Sequence, residues 1–122
     1  MISKEAVADV LDAAVSLLGD EGETWIKGQR WSRNGDGTIS YCPVGAIQEV
    51  ARNRSQWPDF FIRHGVEKAA MIALANACSP AEIQQYDPAI VAISNWNDRH
   101  DTEFSVVVRR FRVARKQVMK AS

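Results

Sequence analysis

Cysteine and histidine are scarce in this chain of 122 residues: Cys42, Cys78, His64 and His100 are scattered singly. No Cys-x-x-Cys or His-x-x-x-His spacing exists, which excludes the common zinc frameworks. No glycine-rich loop is built to cradle phosphates. No apolar run reaches the roughly 20 residues that cross a bilayer, so no membrane partner is expected. Fifteen Lys and Arg balance fifteen Asp and Glu, and the net charge of zero removes any global field that would draw nucleic acid. The first residues, Met1-Ile2-Ser3-Lys4-Glu5, lack the basic-then-apolar build of a secretion signal. The thiols are therefore expected to be free and the chain cytoplasmic, with a Cys42–Cys78 disulfide the disfavoured alternative. Neither a metal nor a cofactor is expected.

What is present is an ordinary globular balance, 46% apolar and 25% charged residues. A chain of this length forms one domain, 1–122, and buries roughly two-thirds of its unfolded surface without staples. The apolar periodicity predicts mostly helices. Ser3 caps a first helix over 3–18, whose stripe is Val7, Val10, Leu11, Ala14, Val15 and Leu18, and Gly19 and Gly22 end it. The strand formers Trp25, Ile26, Trp31, Ile39 and Tyr41 flank Asn34-Gly35-Asp36-Gly37, a hairpin signal. Pro43 opens a helix over 43–54 with Val44, Ile47, Val50 and Ala51 inward. A break at Trp57-Pro58-Asp59 precedes a helix over 60–77, with Gly65 as a place for a kink. Ser79-Pro80 and Asp87-Pro88 each read as an N-cap with a first-turn proline, the second opening a helix over 88–96. A last helix over 102–120 turns Phe104, Val107, Val108, Phe111 and Val118 inward, with Arg115 at the remaining turn position. The fold class is mainly α: a compact domain of about five helices with a short β-hairpin after the first.

Charge is unevenly placed. Residues 1–23 hold six acids and one base, and residues 109–120 hold six bases and no acid. The terminal helices are expected to lie together and complement each other. The same pattern would also serve a homodimer.

Several motifs invite chemistry. Residues 32–40 imitate a calcium loop, but Ser32 stands at position one and Pro43 at position twelve, where carboxylates belong, so a plain turn is the better reading. Cys42 precedes a helix start, where a thiolate is stabilised. His64 or His100, with Asn97, Asp98 or Asp101, could complete a Cys-His-Asx arrangement for a hydrolase or transferase. The favoured reading is a small buried thiol at a helix start, with Gly45 and Ala46 allowing close packing. In Trp96-Asn97-Asp98, the expected roles are core packing for Trp96, a C-cap for Asn97 and acceptance of helix N–H groups by Asp98 or Asp101. Trp25, Lys27, Arg30, Trp31 and Arg33 interleave aromatic and basic groups on the hairpin. With Arg109 and Arg112 of the last helix they form a candidate binding surface.

Trp25-x-x-Gly28, Cys42-x-x-Gly45-Ala46-Ile47 and Trp96-Asn97-Asp98, in this order between two amphipathic helices, resemble an uncharacterised family of small bacterial and phage proteins. The resemblance covers roughly residues 6–118. It implies the helical domain and assigns no reaction. It also implies a phage or mobile-element setting, in which small proteins often bind a host protein. The leading expectation is a non-enzymatic binding or regulatory protein. A Cys42-dependent enzyme and a nucleic-acid-binding protein are the alternatives.

Overall fold

A computed structural model describes residues 2–54, 59–79 and 81–120. Helix α1 (Lys4–Leu17) is capped by Ser3, whose Oγ accepts from Ala6 N at 3.1 Å. Gly19, at φ +88°, turns the chain out of the helix. Strands β1 (Trp31–Arg33) and β2 (Ile39–Tyr41) pair antiparallel, Ser32 opposite Ser40. Their connection is a turn closed by Gly37 N to Asn34 O at 3.0 Å, with Gly37 at φ +90°. The Asp36 carboxylate accepts from the Thr38 backbone and hydroxyl, which lowers its pKa and ties it into the turn rather than into a cation loop.

Helix α2 (Pro43–Glu49) follows directly and continues as a π-wound stretch over Val50–Arg54. Asp59 caps α3 (Phe60–Cys78), accepting from Phe61 N and Ile62 N. Trp57 and Pro58 of the expected break lie outside the described residues. Gly65 makes no interruption in α3, and the tip of the Ile2 side chain lies against it.

Two expectations for the next helix need correction. α4 (Tyr86–Asp98) starts two residues before Pro88, with Gln85 as N-cap and Asp87 inside the first turn. Proline costs nothing there because first-turn N–H groups have no helical acceptor, and Asp87 suits the positive helix end. The Ser79 backbone closes α3 by donating to Ala75 O, residues 81–85 carry no helix, and Pro80 lies outside the described residues. Helix α5 (Phe104–Lys120) completes the domain.

α3 touches each of the other four helices. The core around it joins Leu11 of α1 and its C-cap Leu18, Ile47, Met71, Leu74, Ile93 and Phe111, all fully or almost fully buried. α1 and α5 lie side by side, as the charge asymmetry predicts. Arg115 Nε reaches Asp12 Oδ2 at 2.8 Å, and Lys4 Nζ reaches Met119 O at 3.4 Å. Both Arg115 and Asp12 are about half exposed, so the pair orients more than it stabilises.

Candidate functional site

The stretch over residues 24–30 contains no helix or strand, yet it is tied to the body at several points. It runs beside β2: Tyr41 N donates to Thr24 O at 2.8 Å and Ile26 N to Tyr41 O at 3.0 Å. Cys42 N then donates to Arg30 O at 3.1 Å. From the other side comes the end of α4. Trp25 Nε1 donates to Asn97 Oδ1 at 2.8 Å, Asn97 Nδ2 donates to Ile26 O at 3.0 Å, and Gly28 N donates to Asp98 Oδ1 at 2.8 Å. Lys27 Nζ reaches Arg99 O at 2.5 Å and sits 5.5 Å from the centre of the Trp25 ring, within cation–π range. The Trp25 ring also packs on Phe104 of α5, centroids 5.6 Å apart.

Glycine is required at two points of this clamp. Gly28 takes φ +84°, which turns its N–H toward Asp98. At Gly45 a Cβ would fall 2.1 Å from Arg30 O, so only glycine lets the first turn of α2 meet that carbonyl. The three motifs seen in the sequence are thus one structure. Asn97 is not a C-cap, and Asp98 does not serve the following helix. Both point back to the 24–30 segment, because Asn97 is completely buried inside the last turn of α4 and needs partners there. Asp101 pairs with Arg99 instead, and the Thr102 hydroxyl takes up Trp96 O. Trp96 lies in the core as expected.

Cys42 is the N-cap of α2, and its Sγ accepts from Gly45 N at 3.4 Å. Burial pushes the thiol pKa up, and the N–H groups of Gly45 and Val44 only partly oppose it. That is the reverse of what a nucleophile needs. A small cleft of about 210 Å³ beside it is lined by Gly28, Gln29, Arg30, Cys42, Ser94 and Asp98, with no histidine. His64 stacks on Phe60 in a different cleft, and His100 is exposed in the turn after α4. The Cys-His-Asx arrangement is not assembled.

The candidate binding residues separate into two groups. Trp25 and Lys27 are engaged in the clamp. Trp31 is 57% exposed, Arg30 and Arg33 are exposed beside it, and Arg30 makes one long contact to Gln48 at 3.5 Å. On α5, Arg109, Arg112, Lys116 and Lys120 recur at helical spacing on one exposed face, and the helix contains no acid. The aromatic contact of the 24–30 segment to α5 is at Phe104, the helix's first residue.

One polar cluster went unread in the sequence. Glu67 is 1% exposed on the inner face of α3. Arg52 grips its two oxygens at 2.7 and 3.1 Å, and the Tyr86 hydroxyl donates to the second oxygen. Burial, reinforced by Glu67, raises the Tyr86 pKa. The available signal was a carboxylate among Val66, Ala70, Met71 and Leu74, which requires a buried cation or donor. Among the described residues, no three of His, Cys, Asp and Glu gather to hold a metal ion.

These features define a mainly helical domain with a hairpin pinned by motif residues from α2 and α4. Residues 3–117 match the family of unknown function DUF6197, and the chain belongs to that family. No curated protein and no solved structure matches it.

Replacing Asn97 with Ala leaves Trp25 Nε1 and Ile26 O without partners, and the expected loss is about 1–3 kcal/mol for each. Urea denaturation reads it; a loss below about 0.5 kcal/mol, the range of an idle surface change, contradicts the clamp. Because its pKa is raised, Cys42 holds less thiolate at neutral pH than a free cysteine. Iodoacetamide is therefore expected to alkylate it more slowly than a free thiol at pH values below the ordinary 9.0, with urea restoring the rate. Faster labelling in the native chain would show a depressed pKa instead.

Proposed function

We propose that the chain is a non-enzymatic binding protein that engages a protein partner through the outer face of its hairpin. The observation that carries this reading is Trp31. A large aromatic side chain stands 57% exposed on a ribbon whose approach segment is tied to both α2 and α4. Such an anchor loses little conformational freedom on docking. Tryptophan and arginine are the residues that most often dominate interface energies, and Arg30 and Arg33 flank Trp31. The fitting partner has an apolar recess rimmed by acids. The reading extends to a phage-encoded chain acting on a host protein in the cytoplasm; the family resemblance and the free thiols support that extension.

A second reading, contact with nucleic acid through α5, is favoured by the Arg109, Arg112, Lys116 and Lys120 face. Neutralising phosphates there would make affinity fall steeply with salt.

Immobilised wild-type chain and a Trp31→Ala variant, exposed to host lysate with and without nuclease treatment, separate these readings. The variant should keep its thermal midpoint, since Trp31 faces solvent, and should lose a protein that the wild type retains. Equal retention by both chains defeats the hairpin reading. Retention that disappears with nuclease transfers the function to α5.

A further inference from the structure

A cleft of about 560 Å³ opens between the π-wound end of α2 and the first turns of α3, far from the motif clamp in sequence. That volume falls in the range of roughly 300–1,000 Å³ typical of small-molecule sites. Arg52, Asn53, Phe60, Arg63, His64 and Glu67 line it. We propose that it binds a small planar anion: an aromatic ring carrying a carboxylate or a phosphate.

The charge argument comes first. Glu67 is the one acid among these lining residues, and both its oxygens are already held by Arg52 and Tyr86. It offers nothing further to a ligand and cancels one of the two guanidinium charges. Arg63 supplies the remaining charge. Its Nη1 donates to Arg52 O at 3.0 Å, which fixes the group in place. Its Nε is buried with no hydrogen-bond partner among the described residues, a state that buried donors seldom keep. Arg52 spends Nε and Nη2 on Glu67, and its side chain remains 55% exposed. Two positioned guanidinium groups with unspent donors suit a carboxylate or phosphate oxygen.

The ring argument is independent. Phe60 and His64, one helical turn apart, are parallel to within 6° with centroids 5.9 Å apart, and Phe60 is 64% exposed. Both rings line the cleft, and their shared orientation sets the plane that a third ring stacked there would adopt. Tyr86 adds a tilted ring 6.3 Å from His64. A planar ligand can stack parallel to these rings with its anion toward Arg63. The π-wound turn carrying Arg52 and Asn53 fits the habit of such turns to occur at functional sites.

The test is an NMR titration of the full chain with benzoate and, separately, adenosine monophosphate. Cyclohexanecarboxylate and inorganic phosphate serve as ringless controls, and benzamide as the neutral one. Saturable shifts of the Arg63 and His64 amides by at least one aromatic anion are expected, and which of the two binds more tightly separates carboxylate from phosphate. Arg63→Gln should weaken that binding at least about tenfold, the loss expected for one charge-assisted hydrogen bond. Phe60→Ala, an exposed change with little risk to folding, should weaken the aromatic anion and leave the ringless control unchanged. The absence of saturable shifts with both aromatic anions overturns the proposal, as does unchanged affinity in a folded Arg63→Gln variant. Equal binding of benzamide or of the ringless controls overturns it too.

Discussion

The side-chain amide of Asn97 is the constraint on which the hairpin depends. It is completely buried, so both its oxygen and its nitrogen must find partners. It finds them in the Trp25 indole N–H and the Ile26 carbonyl, more than seventy residues away in the chain. That exchange holds an irregular segment against α4, and Asp98 extends it by accepting from Gly28. On the opposite side, Arg30 O lies against Gly45 and accepts from Cys42 N. The hairpin is therefore held at its base by side chains and backbone from two helices. A two-stranded ribbon alone is marginal in water, so this anchorage is what allows Trp31 to be presented in one orientation.

The Arg52–Glu67–Tyr86 cluster works by a different rule. A buried carboxylate is costly unless its charge and lone pairs are met, and here the guanidinium and the phenol meet them together. The cluster joins the end of α2, the middle of α3 and the start of α4, and Gln48 of α2 adds a hydrogen bond to the Tyr86 hydroxyl at 3.2 Å. Among the described residues that line the neighbouring cleft, the cluster leaves Arg63 as the charge with no acidic partner. The two polar sites thus lie at opposite ends of α4: Tyr86 at its start, Asn97 and Asp98 at its end.

Most of the fold was legible in the residues. The stripe of α1, the Ser3 cap, the turn at Asp36-Gly37 and the Pro43 start all follow local rules that tertiary contacts did not override, and α5 buries Val107 and Phe111 as expected but places Ala114 rather than Arg115 on its inner face. The start of α4 was misplaced because Asp-Pro is a cap signal that also fits inside a first turn, and only packing decides between them. The motifs were visible as unusual, but their joint meaning was not. Asn97 and Asp98 satisfy local capping rules as well as a distant loop does, and sequence spacing carries no trace of a partner at Trp25 or Gly28. Glu67 was hidden for a related reason: helical periodicity records that a position faces inward, not what a charge placed there will meet. The binding candidates split as burial dictated, with Trp25 and Lys27 drawn into the clamp and Trp31 left in solvent.

Hydrogen exchange of the Trp25 indole N–H tests the clamp most directly, because that proton belongs to a segment outside any regular element and is held by Asn97 alone. If Asn97 fixes the segment, the indole proton exchanges as slowly as amides in the core of α3 and is released only by global unfolding. Exchange at the rate of an unstructured peptide, while α3 remains protected, would mean that the segment opens freely and that the hairpin is not a preformed surface.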